Sequence, residues 1–295
     1  MIFDYQFRNY NFRALIYMIL LSVLGILVVG SASNQDRSSV IKQIIGVVVS
    51  LIICLVLSLI DYHQYFRFTT LIYVVCAGML AAVLLFGRTT KGATRWLRIG
   101  GIQIQPSEFV KIGLILILAN FLSRNRDKIN EPKTLGMTAL ICVLPVGMVY
   151  LQPNLSTTIV ICFMILCMVY VAGISYKWIA GAVAVGVPGF AALIYLSLQG
   201  FIPFLQKYQA QRIMGKIFHS SSEFTDLNRQ QDNSMMAIGS GQLRGKGLFN
   251  NTLSSVKNGN FLSEEQTDFI FAVIGEELGF VGGVAVIALY ALLVY

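Results

Sequence analysis

The chain contains eight long apolar runs, and no other feature restricts its fold as strongly. They cover about residues 13–32, 39–60, 68–87, 107–123, 135–151, 154–173, 176–199 and 267–295. A helix needs about 20 apolar residues to cross the hydrocarbon core of a bilayer, at about 1.5 Å of rise per residue. Inside lipid the backbone must satisfy its own N–H and C=O groups, so a spanning segment is a helix or part of a closed barrel. None of the runs shows the polar–apolar alternation of a barrel strand. The sequence therefore predicts an all-α, polytopic integral membrane helix bundle with eight transmembrane helices. It forms a single transmembrane domain over 1–295, with a large loop, 200–266, between the seventh and eighth helices. Composition agrees, since only 12% of the 295 residues are charged, against about a quarter in soluble domains. Asp4, Arg8 and Arg13 flank a full-length first run, which predicts a retained span rather than a cleaved leader.

Basic residues in short loops set orientation. With a cytoplasmic N-terminus, the inner segments hold Arg8, Arg13, Arg67, Arg124, Arg126, Lys128, Lys133 and Lys177. The other fourteen of the 22 Lys and Arg fall outside, half of them in or beside the long 200–266 segment, which the rule discounts. The strongest short-loop signal, at 123–128, is placed inside. Two outer segments, 88–106 and 200–266, are then unusually basic, which suits an anionic partner or lipid headgroups. Residues 95–104 and 204–218 mix cations with aromatic and aliphatic side chains and predict segments lying on the membrane surface. Gln152-Pro153-Asn154 is the expected turn of a helical hairpin over 135–173.

Carboxylates on an apolar span are costly to bury and mark function by default. The last run carries three. Asp268 sits at its mouth, where lost hydration would suit a general base; an ordinary helix cap made by Thr267 or Asp268 is the plainer reading. Glu276 and Glu277 are adjacent, so they point about 100° apart and cannot share one neighbour. They lie about 12 Å of helical rise from Asp268, too far for a catalytic pair. Glu108 and Lys111, three residues apart, can pair on one helix face. Arg95, Arg98, Arg244 and Lys246 are candidate phosphate contacts, with Trp96 beside the first. The five cysteines show neither disulfide nor metal spacing, the two histidines stand apart, and no complete phosphate-loop motif is present. No metal site and no nucleic-acid partner is indicated.

Five stretches together resemble the SEDS family of bacterial membrane proteins, in its RodA and FtsW branch. They are GATRWLRIGGIQIQPSEFVKI at 92–112, LQPNLSTTIVI at 151–161, YQAQRI at 208–213, SMMAIGSGQLRGKGL at 234–248 and FLSEEQTDFIFAVIGEELGFVG at 261–282. The resemblance implies a ten-helix fold, of which this chain matches the first eight helices. It implies a peptidoglycan glycosyltransferase that polymerises lipid II on the outer face of the bacterial cytoplasmic membrane, partnered by a class B penicillin-binding protein. The family's catalytic aspartate falls on Asp268, and its helix-four acid and base fall on Glu108 and Lys111. The substrate-binding set expected from this reading is Arg95, Trp96, Glu108, Lys111, Gln152, Asn154, Arg244, Lys246, Glu276 and Glu277. On this reading the departing pyrophosphate is stabilised by cationic side chains or by a divalent cation, Mg2+ or Mn2+, which the sequence itself does not show. Two positions depart from the family pattern: Gln266 stands where His is usual, and Asn154 where Asp is usual. A lipid II flippase and a non-catalytic scaffold for a penicillin-binding protein are the competing readings; a flippase predicts broken helices near the bilayer midplane.

Overall fold

The computed structural model describes residues 10–33, 36–90, 93–99, 102–152, 154–199, 225–250, 255 and 265–295. Each apolar run becomes a helix: α1 (Phe12–Ala32), α2 (Arg37–Ser58), α4 (Thr69–Phe86), α5 (Pro106–Arg124), α6 (Pro132–Leu151), α7 (Leu155–Val171), α8 (Tyr176–Leu198) and α10 (Ile270–Val294). Short α3 (Tyr62–Arg67) precedes α4. Seven of the eight are long and apolar enough to cross a bilayer; α7, with 17 residues, is the shorter one. The protein is thus a multi-pass membrane helix protein.

Two differences from the sequence reading stand out. The segment expected on the membrane surface at 95–104 contributes strands to an antiparallel sheet in the order β1 (Arg88–Thr90), β2 (Ala93–Ile99), β3 (Ile102–Ile104), a secondary structure the sequence reading did not anticipate. Thr90 pairs with Ala93 and Ile99 with Ile102; in the sequence Lys91-Gly92 and Gly100-Gly101 lie between these partners. Such glycine-bearing dipeptides between β-prone runs are a hairpin signal. The second difference is α9 (Thr225–Ser240), a helix within the segment read as a loop. The surface segment expected at 204–218 lies outside the described residues.

The chain divides into two compact units, residues 1–60 with 210–295 and residues 61–209. In the first, α1 packs on α10 around Val28, Ala32, Val273, Ile274 and Val286. α2 buries no residue, as befits a span whose apolar surface faces lipid. Asp36 caps it: the Ser39 hydroxyl and N–H and the Ser38 N–H all donate to its carboxylate. These bonds, the Ser39 hydroxyl foremost, hold the Asp36 carboxyl below its ordinary value. In the second unit, α4, α5, α6 and α7 enclose a core that includes Leu80, Val110, Leu114, Leu118, Val149 and Ile161. α6 and α7 form the expected hairpin on either side of 152–154; Pro153 itself lies outside the described residues.

Candidate active site

The last span does not run unbroken. At Gly279 the backbone leaves the helix, with φ 67° and ψ −165°, a conformation open almost only to glycine. Two helical bonds disappear there, from the Phe280 and Val281 N–H groups to the Glu276 and Glu277 carbonyls. Residues 242–247 replace them. The N–H groups of Lys246 and Gly247 donate to the Glu276 and Glu277 carbonyls at 2.9 Å each. The N–H groups of Phe280 and Val281 donate to the Gln242 and Leu243 carbonyls at 2.8 and 3.2 Å. Unpaired backbone groups inside a membrane protein cost several kcal/mol each, so this exchange is what makes the break tolerable. Gly245, also at positive φ (75°), fits against the Glu277 carbonyl and Gly279, where any side chain would collide.

The side chains reinforce the exchange. Lys246 Nζ lies 2.7 Å from Glu276 Oε1. The Ser31 hydroxyl of α1 donates to Glu277 Oε1 at 2.6 Å and accepts the Phe249 N–H at 3.1 Å. Both glutamates are 2% exposed, and they find different partners, as their angular separation requires. Arg244 is exposed beside them.

Asp268 is exposed in the turn 265–269 that leads into α10. The capping alternative does not hold. Phe269 is the N-cap residue and no side chain caps the helix, so the Asp268 carboxylate is not committed to the first turn.

The remaining candidates belong to the second unit. Glu108 lies in the first turn of α5, where the helix dipole favours an acid, and Lys111 Nζ meets its Oε2 at 2.8 Å. Gln152 is buried and donates from Nε2 to the Leu80 carbonyl at 3.4 Å, tying the hairpin turn to α4. Asn154, also buried, is the N-cap of α7: its Oδ1 accepts the Thr157 N–H at 3.4 Å. Asn and Asp cap equally well, so an amide at this position keeps the helix start intact. Arg95 and Trp96 are half-buried on β2. Among the described residues no three His, Cys, Asp or Glu side chains converge.

A family profile, FTSW_RODA_SPOVE, cell cycle protein, matches residues 12–295. The chain belongs to the FtsW/RodA/SpoVE family. These are the SEDS proteins of the sequence resemblance. Among relatives, "Peptidoglycan glycosyltransferase MrdB" of Escherichia coli K12 is 36% identical over 281 residues, covering 95% of this chain and 72% of that protein. "Probable peptidoglycan glycosyltransferase FtsW" of Haemophilus influenzae is 30% identical, covering 96% and 71%. A solved chain from work described as "Structural coordination of polymerization and crosslinking by a peptidoglycan synthase complex" superposes with a TM-score of 0.74. It is 26% identical, covering 97% of this chain and 76% of that one.

In this SEDS protein, sequence reasoning missed Ser31, Phe249 and the break at Gly279. No sequence signal marked the break beyond its glycines. Gly245 and Gly279 stand in the stretches SMMAIGSGQLRGKGL and FLSEEQTDFIFAVIGEELGFVG. For Ser31 there was none beyond its place among small residues at the end of α1.

Proposed function

We propose that this SEDS protein is a peptidoglycan glycosyltransferase that polymerises lipid II into glycan strands for cell elongation or division. The observation that carries the reading is Asp268, an exposed carboxylate uncommitted to capping at the mouth of a membrane span, in a chain whose relatives are named as such transferases. In the reaction, a sugar hydroxyl of one substrate attacks the anomeric carbon of the other. The new C–O bond forms as the bond from that carbon to the lipid pyrophosphate breaks. Asp268 accepts the hydroxyl proton, and the pyrophosphate departs with the electron pair. Among the described residues we assign exposed Arg244, on the segment packed into the α10 break, to offset its charge. Reaction on the outer face, with the N-terminus inside, and pairing with a class B penicillin-binding protein complete the proposal. Support for the partner is the likeness to a chain of a synthase complex.

A broken span is also what the flippase reading predicts. Here, however, the backbone groups freed at Gly279 are taken up by protein, whereas a transport site leaves them facing a cavity. Polymerisation of fluorescent lipid II by the purified protein decides between the two. Glycan strands from the protein and none from Asp268→Asn are expected; strands from Asp268→Asn would remove the base. Chelating and restoring Mg2+ or Mn2+ in the same assay tests the expected cation.

A further inference from the structure

We infer that Glu276 and Glu277 are positioning residues: they clamp residues 242–249 into the break of α10 and so set the angle at which its first half presents Asp268. The inference rests on the reading of Asp268 as the base. Residues 270–278 form only two and a half turns, too short to be stable alone. Across Gly279 their direction is not carried by the helix's own bonds from 280 to 276 and from 281 to 277. It is carried by the four backbone bonds to 242–247.

The two carboxylates grip this segment at Lys246 and at Phe249. Glu276 holds Lys246 directly. Glu277 holds Ser31, and Ser31 holds the Phe249 N–H. The second link runs through α1, whose own packing on α10 is apolar, so the segment is pinned between two spans. The leverage is considerable. From Gly279 to Ile270 the helix rises about 13 Å, and a tilt of about 10° moves its mouth by about 2 Å. A misplacement of about 1 Å at a reacting group can cost about a hundredfold in rate. A direct role on substrate suits these acids poorly. Each is 2% exposed and bonded within the protein, and Lys246 spends its charge on Glu276 rather than facing outward.

Hydrogen–deuterium exchange of the protein in lipid nanodiscs reads the clamp without reference to activity. The amides of Lys246, Gly247, Phe280 and Val281 should exchange as one slow group. Glu276→Gln and Lys246→Met should each speed that group about ten-fold or more while α2 amides keep their rates. The double variant removes both members of the Lys246–Glu276 pair together, so it should regain protection. Should Glu276→Gln fail to accumulate, Ser31→Ala supplies the comparison, loosening Phe249 first. In lipid II polymerisation, the single variants should lower kcat with KM within about two-fold, and the double variant should recover kcat. Unchanged exchange in the single variants overturns the clamp. A raised KM in Lys246→Met that persists in the double variant puts Lys246 on the substrate and overturns the positioning role. The expected exchange pattern in a protein that makes no glycan supports the clamp and overturns the activity reading alone.

Discussion

Replacing Gly279 by alanine tests the broken span most directly. At φ 67° and ψ −165° an alanine is strained by about 1–3 kcal/mol, and its Cβ would run into the backbone of Arg244 and Gly245. The protein has two ways to respond. It can keep the bend and bear the strain and the collision together. Or it can straighten α10, recovering two helical bonds while losing the four to residues 242–247. At about 1 kcal/mol per bond the second route costs about 2 kcal/mol, and more if the released groups stay buried. Either route gives about 2–4 kcal/mol of destabilisation. Gly25→Ala, in α1 with nothing within contact distance of an added Cβ, is the matched control and should be neutral or stabilising by up to about 1 kcal/mol. Denaturant or thermal melts of both variants in one detergent, read by loss of monodisperse protein, compare them. If Gly279→Ala melts with the wild type and Gly25→Ala, the break is not held as described.

Asp268→Asn should lower polymerisation by about a hundredfold or more, the scale of a lost general base, with membrane abundance unchanged on immunoblots. Ser31→Ala takes a hydroxyl donor from Glu277 and an acceptor from the Phe249 N–H. It should destabilise by about 1–3 kcal/mol in the same melts, and Ser22→Ala on α1, whose hydroxyl only returns to the Met18 carbonyl, should not. The Asp36 carboxyl lies below its ordinary value in the folded protein. Its stabilising contribution is therefore present above the ordinary value, about pH 4, and fades as pH falls through the lowered folded value. The melting difference between wild type and Asp36→Ala should shrink on acidification, and a constant difference would contradict the cap.

Hydropathy alone dictates the eight helices, because lipid leaves a long apolar run almost no other way to satisfy its backbone. Short-range spacing dictates the Glu108–Lys111 pair and the divergence of Glu276 and Glu277, since the helical repeat is the same in every context. The strands at 88–90, 93–99 and 102–104 were legible in principle from Lys91-Gly92 and Gly100-Gly101 between β-prone runs, a signal the reading of the cations and Trp96 did not use. The break at Gly279 was not legible. A glycine in an apolar run costs a helix too little to end it, and only the arrival of 242–247, more than thirty residues earlier in the chain, supplies the donors and acceptors that make breaking cheaper than continuing. The roles of Lys246, Ser31 and the two buried glutamates follow from that one meeting of distant segments. Local rules could place charge on the span; which partner neutralises it was decided by tertiary contact.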